Sequence, residues 1–100
     1  MSKLGSFIRS KREENNLLLR HLAAKLDVDV AYLSKLERGE RSVRLEHVVA
    51  LSEIFNVPSG ELKVLWLSDQ ITELLASIQD DSMALKALNL SKKELSTLTH

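Results

Sequence analysis

The side chains best suited to bind an anionic partner lie in the first half of the chain. Residues 1–45 hold ten Lys and Arg against six Asp and Glu, whereas residues 46–100 hold four against eight. The net charge of zero therefore hides a basic half joined to an acidic half. This asymmetry favours contact of the first half with a polyanion such as nucleic acid. Scattered charge on an ordinary helical protein would give a similar balance, so charge alone leaves both interpretations open.

Side chains that could hold a metal or catalyse a reaction are sparse. The histidines His21, His47 and His100 form no pair four residues apart, and the chain has no cysteine. Solvated surface histidines are therefore expected rather than a metal site. The adjacent pair Asp80 and Asp81 fits a helix terminus better than a catalytic dyad, and no glycine-rich phosphate loop or nucleophile motif is present. We expect neither an enzyme nor a bound cofactor.

Hydropathy and length indicate one modest globular domain, or one domain with a short appendage. The longest uncharged apolar runs, Leu17–Leu19 and Val64–Leu67, fall far short of the roughly 20 residues that a membrane span needs. The first five residues show no export signal. We therefore expect a cytoplasmic protein without a membrane partner.

The elements that must position the basic side chains are predicted to be helices. Apolar residues recur at three- and four-residue steps through most of the chain, and no stretch alternates as a half-buried strand does. Asp29 is suited to cap a new helix, and Gly39 to end one in the left-handed conformation. A fifth helix is expected to begin at Ser59. A helical segment at 68–79 and two weaker ones at 82–88 and 91–98 are predicted after it, the last opened by a capping-box pattern.

Two of the predicted helices are short and close together. The segments 19–26 and 30–36 are joined by only three residues, and Ala23 and Ala24 keep the first of them slim enough for a close crossing. This is the layout of a helix-turn-helix, in which the second helix of the pair lies in a DNA major groove. Many helical hairpins share this spacing, so the residue types are needed to distinguish a helix-turn-helix from an ordinary hairpin.

The residue types resemble those of the lambda-repressor/Cro-like (Xre-type) helix-turn-helix family. Residues 17–41 read LLLRHLAAKLDVDVAYLSKLERGER, and the match extends over roughly residues 4–66. Three departures are visible: Leu18 and Leu19 replace the usual Ser and Gln, Asp27 replaces the turn glycine, and Val43 replaces a proline. The resemblance implies an all-α, five-helix DNA-binding domain over residues 1–66, with a helical extension over 67–100.

The family resemblance also implies roles for individual residues on DNA. Base edges would be faced by Val30, Ala31 and Lys35, with Tyr32 and Ser34 nearby. Lys35, and also Arg38, would donate to guanine, whereas Val30 and Ala31 offer only apolar contact. Phosphates would be held by Arg20, Arg41 and Arg44. Arg12 and Glu37 occupy positions that form an internal ion pair in this family. The alternative for Val30 and Ala31 is a poorly specific groove helix whose preference comes from DNA shape.

The extension carries more apolar surface than a 60-residue domain can cover. The expected interface residues are Leu65, Trp66, Ile71, Leu74, Leu75 and Ile78. They favour a homodimer, because two-fold symmetry matches a palindromic operator and a lone module contacts little DNA. The alternative is that the last helices fold back and enlarge the core of the monomer.

The sequence therefore predicts a DNA-binding transcriptional regulator of repressor or controller type, such as those of restriction–modification systems or phages. It would bind a palindromic operator as a homodimer. The alternative is an antitoxin-like or adaptor module whose C-terminal helices bind a protein partner.

Overall fold

The computed structural model describes residues 2–98, in which six helices are joined by short turns and loops. Its helices are α1 (Lys3–Glu14), α2 (Leu19–Leu26), α3 (Val30–Arg38), α4 (Leu45–Phe55), α5 (Ser59–Ala76) and α6 (Asp81–Leu98). No strand occurs among the described residues, which confirms the all-α prediction. The chain divides into two compact units, the first reaching to Asp69 and the second starting at Gln70. The boundary expected from the sequence, between residues 66 and 67, lies three residues earlier.

Aliphatic side chains from α1 to α5 form the core of the first unit. The largest fully buried ones are Leu4, Ile8, Leu22, Leu33, Leu36, Val48, Leu51 and Leu62. Each stabilises the fold by about 1.5–3 kcal/mol relative to an exposed side chain. The helices α2 and α3 have only eight and nine residues. Isolated helices of that length are unstable in water, so this core is what holds them.

The turn between α2 and α3 and the end of α3 are formed by residues that the sequence analysis named for these places. Asp27 ends α2 with φ 59° and ψ 47°, the left-handed conformation that a glycine would adopt more readily. The side chain of Asp29 accepts a hydrogen bond from the backbone N–H of Tyr32 at 2.8 Å, which confirms its capping role. Gly39 ends α3 with φ 75°, also as predicted.

Asp69 of α5 caps the first turn of α1. Its two carboxylate oxygens accept the backbone N–H groups of Lys3 at 2.9 Å and Leu4 at 3.0 Å. The hydroxyl of Ser2 accepts the next N–H, that of Gly5, at 2.7 Å. These donors have no partner inside the helix, and a carboxylate also complements the positive end of the helix dipole. The cap links α1 to α5 within the first unit.

The C-terminal helices are longer and fewer than expected. The predicted fifth helix and the segment 68–79 form one helix, α5, and the two last segments form one helix, α6. Ser91 lies inside α6, so the expected helix start there is wrong. Neither glycine nor proline separates the joined segments, which explains the continuity. Asp80 caps α6 by accepting the N–H of Met83 at 3.1 Å, which confirms a helix terminus at Asp80 and Asp81.

The second unit lacks a core of its own over its described part. None of residues 70–98 is buried, and exposed aliphatic side chains continue along α6. Across the part of the chain that the structure describes, no helix is long and apolar enough to cross a membrane. Over the same residues, no group of His, Cys, Asp or Glu is arranged to hold a metal ion.

Candidate nucleic-acid interface

The helix α3 has a buried face and an open face. Leu33, Leu36 and Glu37 are buried against the rest of the first unit. On the other side, Val30 is 43% exposed. Ala31, Lys35 and Arg38 are exposed with it, whereas Tyr32 and Ser34 are partly buried. The residues predicted to face base edges are thereby brought onto one accessible surface.

The open face of α3 combines two kinds of contact suited to a major groove. Val30 and Ala31 present small apolar surface at the first turn, the end of a recognition helix that approaches the bases. Such surface fits thymine methyl groups. One turn further on, the ammonium group of Lys35 can donate to the acceptors O6 and N7 of guanine. The face therefore presents both a small apolar part and a cationic donor.

Arg38 is held by neighbours on its own chain. It donates to the hydroxyl of Ser34 at 2.6 Å and to the carboxylate of Glu40 at 2.8 Å. The hydrogen bond from Arg38 lowers the pKa of Glu40, and the same contact raises the pKa of Arg38. Sequence reasoning missed Glu40, although a carboxylate two residues after an arginine was visible.

A groove lies beside the start of α3, with the predicted phosphate-binding arginines in its wall. Its volume is about 520 Å³, and it is lined by Asp27, Val28, Asp29, Tyr32, Arg41, Arg44 and His47. Arg44 precedes α4 without a side-chain cap on that helix. Arg44 donates to the carboxylate of Glu46 in the first turn of α4 at 3.2 Å, and the carboxylates of Asp27 and Asp29 line the groove together with the two guanidinium groups.

Tyr32 and His47 form the aromatic floor of this groove. Their rings meet edge to face, with centroids 6.1 Å apart and planes at 66°. The Nδ1 atom of His47 is enclosed and makes no hydrogen bond to the described part of the chain. Sequence reasoning took His47 for a solvated surface histidine. The feature of the sequence that could have indicated an enclosed histidine is its position in the first turn of α4, three residues after Arg44.

Arg12 and Glu37 tie α1 to α3. The Nε and Nη2 atoms of Arg12 donate to the two carboxylate oxygens of Glu37 at 2.8 and 3.1 Å. The Nη1 atom donates to the carbonyl of Leu17 at 2.9 Å. The side chains are only 11% and 5% exposed, and the hydrogen bonds to Glu37 raise the pKa of Arg12. This pair is turned inward and connects α1 with α3.

Leu65 and Trp66, which the sequence predicted at an interface between copies, are partly buried. Both pack on the core of their own unit, and the indole N–H of Trp66 donates to the carbonyl of Val43 at 2.6 Å. Val43 itself is buried in the loop that carries Arg41 and Arg44. Trp66 therefore anchors that loop. The other predicted interface residues, Ile71, Leu74, Leu75 and Ile78, are exposed or partly so. Arg20 is exposed on the first turn of α2.

Comparisons with known proteins agree with this arrangement. A family model described as helix-turn-helix matches residues 8–62. Two uncharacterised HTH-type transcriptional regulators, from two strains of Mycobacterium tuberculosis, are each 38% identical over 69 residues, which is 69% of this chain. The chain spans about half the length (47%) of these curated relatives.

Crystal structures of the clp gene regulator ClgR from Corynebacterium glutamicum are similar in fold. One matches with a TM-score of 0.55 and 29% identity, covering 65% of this chain and 84% of that chain. Another matches with a TM-score of 0.56 and 26% identity, covering 97% of this chain and 89% of that chain. The second likeness extends through the C-terminal helices as well.

Proposed function

Because the chain belongs to the helix-turn-helix family of lambda-repressor type, we propose that it is a sequence-specific transcriptional regulator that binds a palindromic DNA operator as a homodimer. The observation that carries the proposal is the open face of α3, where apolar side chains and Lys35 stand together on an accessible helix. The helix has nine residues and is therefore about 13 Å long, which suits the width of a major groove.

Specific and non-specific contacts are divided between two surfaces in this proposal. The face of α3 reads base edges, with Lys35 as the main donor. Arg41 and Arg44, in the groove beside α3, hold phosphates and set the register of the helix without reading sequence. Trp66 supports this second surface because it fixes the loop through the carbonyl of Val43.

In this proposal two copies bind one operator together. One recognition helix contacts few base pairs, whereas two helices related by a two-fold axis read half-sites about 34 Å apart on one side of the duplex. Moving the half-sites apart by five further base pairs rotates one of them to the opposite side. The full chain is then expected to bind poorly, because only one half-site remains accessible.

Two experiments test the proposal. One is selection of bound DNA from a random library followed by sequencing, and the other is light scattering, which gives the mass of the protein in solution. The expected result is an enriched palindrome and a dimeric mass. An operator with five added base pairs between its half-sites should lose orders of magnitude in affinity, since the second contact is no longer intramolecular. Random DNA recovered without enrichment would contradict sequence-specific binding. A monomeric mass without enrichment would instead favour the adaptor alternative, in which the C-terminal helices bind another protein.

A further inference from the structure

Asp29 lies at the end of α3 that approaches the bases in the proposed complex. It is the N-cap of this helix, directly before Val30 and Ala31, and its side chain is exposed. It also lines the groove that contains Arg41 and Arg44. The carboxylate therefore adjoins both the apolar surface proposed to face bases and the arginines proposed to hold phosphates. The sequence analysis named Asp29 only as a helix cap.

The carboxylate of Asp29 is held in one orientation by the helix that it caps. Its Oδ1 atom accepts the backbone N–H of Tyr32 at 2.8 Å. Within the part of the chain that the structure describes, no hydrogen bond is made to its other oxygen, Oδ2. One oxygen thus fixes the side chain, and the second remains an acceptor for a further donor. An acceptor that is already ordered loses little conformational entropy when it binds a partner.

The negative charge of Asp29 is unfavourable next to the backbone of DNA. Phosphates repel a carboxylate, and the sugar–phosphate backbone offers no hydrogen-bond donor that could offset the repulsion. The guanidinium group of Arg44, in the same groove, pairs with Glu46 at 3.2 Å. The donors that can offset the charge of Asp29 in a complex are therefore those on base edges.

The donors in the major groove narrow the choice to one base. Amino groups occur there on cytosine, at N4, and on adenine, at N6, whereas guanine and thymine present acceptors and a methyl group. The amino group of adenine stands next to the acceptor N7 of the same ring, which repels a carboxylate. Cytosine has no acceptor beside its amino group on its own ring. A carboxylate therefore favours cytosine over the other three bases.

We propose that Asp29 reads a cytosine in each operator half-site, with Oδ2 accepting a hydrogen bond from the N4 amino group of that base. The inference rests on the proposed function and adds a specificity-determining residue to it. Lys35 donates to guanine at one position of the half-site, and Asp29 accepts from cytosine at another. The recognition surface then combines a donor, an acceptor and the small apolar side chains of α3.

Selection from a random DNA library, with the full-length native protein and with Asp29→Asn, tests this assignment. Asparagine caps a helix as well as aspartate does, but it turns the second acceptor into an N–H donor. The native protein should enrich one cytosine at a fixed position of each half-site. Asp29→Asn should replace that cytosine with a base that has a major-groove acceptor, while the rest of the enriched sequence stays the same. Asp29→Ser, which also caps but lacks the second oxygen, should enrich no particular base there.

Titrations on the selected operator and on random DNA measure the size of the effect. Asp29→Asn should lower the ratio of operator affinity to random-DNA affinity by about 5- to 150-fold, the effect of one mismatched base pair. Asp27→Asn is the matched control, because it removes the same charge from the same groove and asparagine tolerates the left-handed conformation of that position. It should strengthen binding to both DNAs by the same factor and leave the ratio unchanged.

The contrary outcomes separate this assignment from the proposed function. The same operator, enriched by the native protein and by both Asp29 variants, would overturn the role of Asp29 and leave sequence-specific binding intact. Equal changes of the affinity ratio in Asp29→Asn and Asp27→Asn would also overturn it, because charge alone would then explain the effect. Recovery of random DNA by the native protein would contradict this assignment and the proposed function together.

Discussion

Gly5 of α1 lies directly against the backbone of Leu36 near the end of α3. A β-carbon at Gly5 would stand 2.6 Å from the carbonyl oxygen of Leu36 and 2.7 Å from that of Glu37. Real β-carbons do not approach backbone oxygens so closely. The first helix therefore packs backbone to backbone on the last turn of the recognition helix, and glycine is required for its size rather than for its conformation.

The close approach predicts that Gly5→Ala destabilises the domain. The added methyl group must push α1 away from α3, at a cost of about 1–3 kcal/mol. Gly60→Ala is the matched control, because nothing lies within 4 Å of its added β-carbon and alanine is the better helix former. Thermal unfolding should show a lower Tm for the first variant and an equal or higher Tm for the second. Equal melting of both variants would mean that the contact between α1 and α3 is looser.

The ion pair between Arg12 and Glu37 predicts a large stability loss when one partner is removed. Glu37→Ala leaves a nearly buried guanidinium without its carboxylate, which costs about 3–5 kcal/mol. The exposed pair of Arg9 and Glu13 gives the control, since Glu13→Ala should change stability by less than about 1 kcal/mol.

A double variant separates the ion pair from general packing at that site. Arg12→Met combined with Glu37→Leu removes both charges and should recover much of the stability lost in Glu37→Ala. Chemical denaturation measures all three free energies of unfolding. If Glu37→Ala melts like the native protein, the pair contributes nothing to the fold.

The contact between Arg38 and Glu40 predicts that neutralising the carboxylate strengthens DNA binding. Glu40→Gln removes a negative charge next to Lys35 and releases Arg38 from its charged partner. Affinity for DNA at low salt should rise by about twofold to tenfold. Glu94→Gln on α6, which loses the same charge, is the control and should bind as the native protein does. Weaker binding by Glu40→Gln would show that Glu40 positions Arg38 for its contact.

The two arginines of the groove predict a change in the salt dependence of binding. Arg41→Ala combined with Arg44→Ala removes the two proposed phosphate contacts and should reduce the slope of log affinity against log salt by about two. Lys92→Ala combined with Lys93→Ala loses the same charge on α6 and should leave the slope unchanged. Titrations at several salt concentrations measure both slopes. Equal slopes for the two variants would remove the groove from the DNA footprint.

Local signals predicted the parts of the fold that depend on near neighbours. Asp29 and Gly39 predicted the two ends of α3, because capping and the left-handed conformation require particular residue types. The pattern around Leu33 to Gly39 likewise indicated the helix-turn-helix family. By contrast, the cap that Asp69 provides for α1 joins residues 65 or more positions apart, and no local pattern reveals it.

The side of α5 that its own domain covers is a part of the fold that the sequence left open. Leu65 and Trp66 are as apolar as Val64 and Leu67, so composition cannot tell which pair a domain covers. Which pair is covered follows from the rotation of α5 about its own axis relative to the core. That rotation is fixed by the burial of Leu62 and by the hydrogen bond from Trp66 to Val43. The contact between Arg38 and Glu40 was not predicted either, because it depends on how the chain turns after Gly39.

The most direct test of DNA reading by α3 compares specific with non-specific affinity in one variant. Lys35→Ala should lower the ratio of operator affinity to random-DNA affinity by about 5- to 150-fold, which corresponds to the loss of about 1–3 kcal/mol at one or two base pairs. Binding to random DNA should stay nearly as strong as in the native protein, and Lys86→Ala on α6 should leave the ratio unchanged. Equal weakening on operator and random DNA would make Lys35 a phosphate contact and contradict base reading by this helix.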